Sequence, residues 1–352
     1  MAKKIGILTS GGDCPGLNAA IRGVAKASYH MFDDAQIIGI MDGFGGLIDG
    51  DFRIMEKHEF SGILTLGGTI LRTSRGHGPN IGQKTGRFLD VFKTMSRNYE
   101  KMGLDCLVML GGDGTHAMAG DLANYGLNTV SLPKTIDNDI WGTDVTFGFQ
   151  SAVDIATDVI DKVHTTAHSH SRVMIVELMG NTSGWLTLSA GIAGGADVIL
   201  LPEIPYSIAA VADVINARYE NGKHFSIIAV AEGARSVTDE QDQDLKGKHY
   251  SIGYKLADEL TQVIDIDTRV VVPGHYQRGG APCPYDRVLA TQMGVYAAQL
   301  IAERRFGQTV AVKGGVVTSN DVNDVAGKTK TIPLDAELLC VGRKIGLSYG
   351  EA

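Results

Sequence analysis

One pattern constrains this chain more than any other: a short apolar run stops at a Gly-Gly-Asp turn and passes into helical sequence, and it does so twice. Ile5-Gly6-Ile7-Leu8 leads to Gly11-Gly12-Asp13-Cys14-Pro15-Gly16, after which residues 18–29 present an apolar face at helical spacing. Cys106-Leu107-Val108-Met109-Leu110 leads to Gly111-Gly112-Asp113-Gly114-Thr115 and a second helix. Strand, glycine turn and helix form the opening unit of doubly wound α/β folds. Glycine supplies 45 of the 352 residues, and these cluster in short loops between apolar runs. Such loops are needed where a backbone turns sharply or approaches a ligand closely.

The unit recurs along the chain. Strands are predicted over 37–40 and 129–132, the latter followed by a polar loop, 134–139. A second series predicts helices over 152–163, 185–193 and 209–219 and strands over 173–176, 198–201, 227–230 and 270–272. A long amphipathic helix is expected over 286–305, with Arg304-Arg305 at its C-terminal end. Strands this short and apolar suit a parallel sheet covered on both faces. Composition shifts sharply nowhere, so two similar α/β lobes in close contact are expected, with the chain crossing between them more than once.

Charge narrows the partners. With 32 Lys and Arg against 40 Asp and Glu, the net charge is −8. That excludes the net basic field of a nucleic-acid binder; an anionic ligand must be held by a few placed cations. The cysteines, Cys14, Cys106, Cys283 and Cys340, form no CxxC pair, which points to a reducing compartment, the cytoplasm. The first apolar run is too short for a signal peptide. No stretch approaches the roughly 18 apolar residues of a membrane span.

Three groups of residues carry candidate chemistry. Free N–H groups at a helix start attract phosphate oxygens, so the two glycine loops suit a polyphosphate, although either alone is also what a bare tight turn requires. Neither is a Walker sequence or a dinucleotide GxGxxG. Asp113 inside such a cradle calls for a cation, and Mg²⁺ is held by one or two carboxylates plus phosphate oxygens. In Pro133-Lys134-Thr135-Ile136-Asp137-Asn138-Asp139, one carboxylate suits a base for a substrate hydroxyl and the second a metal or its waters; a solvated acidic loop is the alternative. Arg172, Arg269 and the run His275-Tyr276-Gln277-Arg278 offer clamps for a phosphate ester, or surface ion pairs. Glu232 suits sugar hydroxyls or is a plain loop acid.

Taken together, these motifs resemble the phosphofructokinase family over essentially the whole chain. KIGILTSGGDCPGLNAAIRG, LGGDGT, PKTIDNDIWGTDVTFGFQSA, GIAGGADVILLPE and PGHYQRGGAPCPYDRVLA are similar in order and spacing. The resemblance implies an α/β fold of two doubly wound, Rossmann-like lobes with mostly parallel sheets and the active site in the cleft between them. Residues 1–142 plus about 266–308 would form the nucleotide-binding lobe. Residues about 143–265 plus 309–352 would form the sugar-phosphate-binding lobe. The implied reaction is transfer of the ATP γ-phosphoryl group to the 1-hydroxyl of fructose 6-phosphate. Asp137 would be the base, Thr135 would sit at the same phosphoryl site, and Asp113 would serve Mg²⁺ with Asp139 nearby. Gly12, Arg75, Gly76, Gly112, Asp113, Gly114 and Thr115 would line the donor site, where Arg75 would offset charge on the transferred group. Arg172, Met179, Gly180, Asn181, Glu232, Arg269, His275 and Arg278 would hold the sugar phosphate. The residues resembling Arg172 and Arg269 reach across a subunit interface in that family, which implies a homo-oligomer, a dimer or tetramer, with shared active sites and neither nucleic acid nor membrane as partner.

The family holds ATP and pyrophosphate users. Gly114 resembles the ATP users, because an aspartate there would crowd and repel the nucleotide α-phosphate. Lys134 resembles the pyrophosphate users, and the combination resembles the mixed-substrate group. ATP is the expected donor, pyrophosphate the alternative. Asn181 stands where most relatives carry Arg, which leaves the acceptor site one guanidinium short. Lys26, His164 and Phe225 depart from the effector site of bacterial relatives. A reading of another class is a catalytically silent paralogue that binds sugar phosphate or nucleotide. Asp113, Thr135, Asp137 and Arg75 together argue against it.

Overall fold

The computed structural model describes residues 3–74, 86–239 and 251–351. The chain divides into two compact units, Met1–Ser151 with Arg278–Lys330 and Ala152–Gln277 with Thr331–Ala352. The first unit opens with β1 (Lys3–Thr9), α1 (Leu17–Met31), β2 (Ala35–Ile40), α2 (Phe44–Asp49) and β3 (Phe52–Met55). It continues with α3 (Gly86–Met102), β4 (Cys106–Gly111), α4 (Asp113–Asn124) and β5 (Thr129–Pro133). Helix α5 (Phe149–His170) leads to the second unit's β6 (Val173–Leu178), α6 (Trp185–Ala193), β7 (Val198–Leu200), α7 (Ile208–Glu220), β8 (Ser226–Ala231), α8 (Ile252–Leu260) and β9 (Thr268–Val271). The chain returns to the first unit for α9 (Pro284–Ala302), β10 (Gln308–Lys313), β11 (Val316–Asp321) and α10 (Val322–Val325), and ends in the second with α11 (Glu337–Lys344).

The first sheet has the order β11-β10-β5-β4-β1-β2-β3. It is parallel except at its margins, where β3 and β11 run antiparallel to β2 and β10. Ile5, Ile7 and Leu8 of β1 and the β4 run from Cys106 to Leu110 are fully buried, as strands covered by helices on both faces must be. From β1 the chain moves one way to β2, and from β4 the other way to β5, so the sheet reverses its winding between β1 and β4. Both glycine turns follow these two strands. In open α/β sheets this switch point, at the carboxyl ends of the strands, is where ligands sit. The second sheet, β7-β8-β6-β9, is parallel throughout and reverses beside β6.

Strand pairing places the crossings elsewhere than the expected 142, 266 and 308. β9 pairs with β6, and β10 pairs with β5, so the crossings fall after residues 151, 277 and 330. Composition carries no trace of this, because strands of both sheets are equally apolar. Helix α9 is also a correction. It ends at Ala302, not Arg305, and Arg304 lies beyond it at φ +55°. It is not amphipathic: Met293, Ala297 and Ile301 are buried while Val288 and Tyr285 are exposed. Its close packing on α1 needs Gly294, where a Cβ would lie 2.5 Å from the Ala20 carbonyl oxygen. Among the described residues no helix is long and apolar enough to cross a membrane.

Candidate active site

The first unit gathers three loops at the carboxyl ends of neighbouring strands β1, β4 and β5. The turn after β4 is forced by packing. A Cβ on Gly111 would meet Thr115 Oγ1 at 1.9 Å, so no side chain fits there while α4 starts so close to its strand. Gly112 is the N-cap of α4, and Asp113, Gly114 and Thr115 form its first turn, with Gly114 exposed and Thr115 buried. Unpaired N–H groups and the helix dipole make this a site for anions. Burial raises the Asp113 carboxyl above its ordinary range, against a hydrogen bond from the Gly327 N–H.

The turn after β1 is held by two cations. Buried Lys134 donates its Nζ to the Gly12 carbonyl oxygen, and Arg278 Nη1 donates to the Asp13 carbonyl oxygen at 3.1 Å. A trans peptide points its C=O and N–H opposite ways. Anchoring the Gly12 carbonyl on Lys134 therefore turns the Asp13 N–H away from the lysine. Thr73 Oγ1 donates to the Gly11 carbonyl at 2.7 Å, and the Gly11 N–H donates to the Ser74 carbonyl at 3.3 Å. Arg75 and Gly76, expected in the donor site, lie outside the described residues.

The loop after β5 carries the expected base. Thr135, Asn138 and Asp139 are buried and Asp137 is half-buried. The Asp137 N–H donates to Thr135 Oγ1 at 3.0 Å, which ties the carboxylate's backbone to the hydroxyl. Asp139 is pushed up to about 6, first by burial, then by the nearby Asp137, with Asp113 adding to it and Lys330 opposing. Negative charge thus accumulates around three carboxylates. Among the described residues no three His, Cys, Asp or Glu side chains converge as a ready cation cage. Lys134 is lowered by burial above all, with Asp137 among the groups that oppose the shift.

The second unit sorts the expected acceptor residues into two groups. At the carboxyl edge of its sheet, Glu232 Oε1 follows β8 and accepts from the Gly180 N–H (3.2 Å) and the Asn181 N–H (2.7 Å). The Met179 N–H donates to Oε1 of fully buried Gln277 at 3.3 Å. His275 is exposed on the 3₁₀ turn Gly274–Arg278 that follows β9. Glu232 is therefore more than a plain loop acid: it shapes the turn after β6. At the opposite edge, Arg172 Nε meets Asp267 Oδ2 at 2.7 Å, and Arg269 Nη1 binds Asp267 Oδ1. Parallel pairing of β6 with β9, Met174 opposite Arg269, brings the two arginines together.

Several residues that hold these loops escape a reading of the sequence. Gln277 lies 98 residues from Met179, and Asp267, with Asp265 two residues before it, belongs to no motif. Lys330 Nζ donates to Asn138 Oδ1 from 192 residues away. Only the fold brings them to their partners. His164 bonds the Gly194 carbonyl at 2.8 Å.

Comparisons with known proteins point to one family. A family model described as phosphofructokinase matches residues 4–301. A protein of Spirochaeta thermophila named ATP-dependent 6-phosphofructokinase is 50% identical over 359 residues, covering 99% of this chain and 98% of that protein. One of Bacteroides thetaiotaomicron, named ATP-dependent 6-phosphofructokinase 3, is 47% identical over 349 residues, covering 99% and 100%. The solved phosphofructokinase of Saccharomyces cerevisiae matches with a TM-score of 0.79 at 31% identity, covering 92% of this chain and 45% of that chain. This chain thus spans under half the length of the yeast one. The chain belongs to the phosphofructokinase family.

Proposed function

We propose that this chain is an ATP-dependent 6-phosphofructokinase. It transfers the γ-phosphoryl group of ATP to the 1-hydroxyl of fructose 6-phosphate, giving fructose 1,6-bisphosphate and ADP. The observation that carries the reading is the row of three loops after neighbouring strands β1, β4 and β5, one of which opens α4 while another carries half-buried Asp137. Asp137 takes the proton of the 1-hydroxyl as that oxygen bonds to phosphorus and the bond to the β-phosphate bridging oxygen breaks. Thr135 Oγ1 accepts from the Asp137 N–H, which leaves its own proton for a phosphoryl oxygen. Gly12, Gly112, Gly114 and Thr115, with Arg75 and Gly76, line the polyphosphate.

The carboxylates fit Mg²⁺, a hard ion that takes oxygen ligands and keeps several waters. Asp113 would hold it with Asp139 close by, and when bound it offsets charge on the polyphosphate. Gly114 favours ATP over pyrophosphate, because an exposed glycine in the first turn of α4 offers neither bulk nor charge against the α-phosphate. Lys134 fits either donor, since its ammonium is already engaged with Gly12.

Met179, Gly180, Asn181, Glu232, His275 and Arg278 hold the sugar phosphate of their own protomer. Arg172 and Arg269 serve a neighbour. Strand β6 separates them from Met179 by about 20 Å at 3.3 Å per residue, more than an arginine side chain spans. This supports a homo-oligomer, a dimer or tetramer, with shared sites. The four free thiols fit the cytoplasm.

A coupled assay with MgATP or Mg-pyrophosphate as donor and a panel of sugar phosphates as acceptor tests the reading. Turnover is expected with ATP and fructose 6-phosphate, falling about 10²- to 10⁴-fold in Asp137→Asn. No turnover with either donor favours the silent paralogue.

A further inference from the structure

We infer that Lys330 is a positioning residue for the reaction, the clamp that holds the Asp137 loop from the far end of the chain. Its Nζ donates to Asn138 Oδ1 at 3.0 Å, to the Thr143 carbonyl at 2.9 Å and to the Asp144 carbonyl at 3.0 Å. These three acceptors match the three N–H bonds of an ammonium group. The lysine thus acts through the loop and not on substrate. Its backbone is tied to the same loop: the Lys330 N–H donates to the Asp139 carbonyl at 2.8 Å, beside an antiparallel bridge between Ile140 and Thr329.

What the clamp holds is a tight turn. Asn138 adopts φ +53°, the left-handed region that asparagine enters more readily than most other non-glycine residues. Its side chain locks that turn, since Oδ1 also accepts from the Thr146 N–H at 3.1 Å. Asn138 follows Asp137 directly, so the turn it makes helps fix the backbone that carries the Asp137 carboxylate. The same ammonium fastens residues 143 and 144, whose loop is pinned at Thr143 Oγ1 by the Val312 N–H. Lys330 therefore joins residue 138 to residues 143 and 144, which Asn138 Nδ2 also links by donating to the Asp144 carbonyl at 3.4 Å. A displacement of about 1 Å in a reacting group lowers rate by about 100-fold.

The inference rests on Asp137 being the base, and its test is separable from that reading. Lys330→Met keeps the length and apolar stem but loses the charge and donors. Wild-type turnover is measured first. Lys330→Met is then expected to lose about 100-fold in kcat, with KM for MgATP and for fructose 6-phosphate changed by less than about threefold, as expected when binding is spared. Lys330→Arg should recover part of the loss. Asn138→Gly, which removes the acceptor while tolerating the backbone angle, closes a double-mutant cycle. The double variant should lose less than the product of the two single losses, because both changes break the bond between Lys330 and Asn138, while only Asn138→Gly also removes the Thr146 contact. Full additivity, or a Lys330→Met kcat within twofold of wild type, overturns the inference. If wild type turns over no substrate, the kinase reading fails. The clamp is then read by amide hydrogen exchange over residues 137–146, which should quicken in Lys330→Met at unchanged exchange in β1 and β4. Unchanged exchange over 137–146 overturns it, as does exchange that quickens equally throughout.

Discussion

Arg172 and Arg269 close on the two oxygens of one carboxylate, that of Asp267, at the edge of the second sheet opposite Met179 and Glu232. One carboxylate meets two guanidiniums, so the cluster keeps a net positive charge, and Arg forks onto phosphate as it does onto carboxylate.

If the arginines complete a partner's site, two inactive variants should rescue one another. Arg172→Ala should raise KM for fructose 6-phosphate about 10- to 100-fold, the worth of a hydrogen bond to a charged group. Asp137→Asn should lose kcat. Co-refolded at equal amounts as a dimer, the two should recover about a quarter of wild-type activity at low substrate, since half the dimers are hybrid and each hybrid has one intact site. No recovery in a mixture proven to exchange subunits means each chain uses its own arginines.

Donor choice turns on one position. Gly114→Asp places a carboxylate in the first turn of α4, where the nucleotide α-phosphate is proposed to lie. ATP use should fall by about 10- to 100-fold, the scale of a like-charge clash of several kcal/mol reduced by solvent. Steady-state kinetics with ATP and pyrophosphate measure it; unchanged ATP kinetics would remove Gly114 from the account.

Asp139 gives a pH signature. Its folded value of about 6 lies above the ordinary 3.8, so the folded chain binds the extra proton between these two values. Stability from this group is full below about pH 4 and is lost as pH rises towards 6, remaining lost above it. Asp139→Asn removes the penalty. Without added divalent cations, it should be more stable than wild type at pH 7.5, by about 1–3 kcal/mol, with the gap closing towards pH 4. Urea unfolding at both pH values measures this, and a gap that widens on acidification contradicts the assignment.

Local features were legible because they are local. Apolar runs, glycine turns and helix faces follow from side-chain spacing and backbone sterics within a few residues. They place β1, α1, β4 and β6 to within a few positions. Helix α6 was placed from its first residue to its last. The sequence reading lacks β3 and β11, which are short or half-exposed and carry no clean alternation, and also β10, whose central residues are buried between β11 and β5.

The sequence by itself determined the kind of chain this is: an α/β protein with two phosphate-type turns, a Thr-Ile-Asp-Asn-Asp loop and a net negative charge that leaves anion binding to a few cations. Tertiary structure alone decided which strands share a sheet, and hence where the chain crosses. It alone put Lys330 beside Asn138, Gln277 beside Met179, and the two arginines at the edge of the second sheet opposite Met179. The reason is physical. Turn and helix preferences act between near neighbours, whereas a buried ammonium or carboxylate is satisfied by whatever the folded backbone brings within 3 Å, at any separation along the chain.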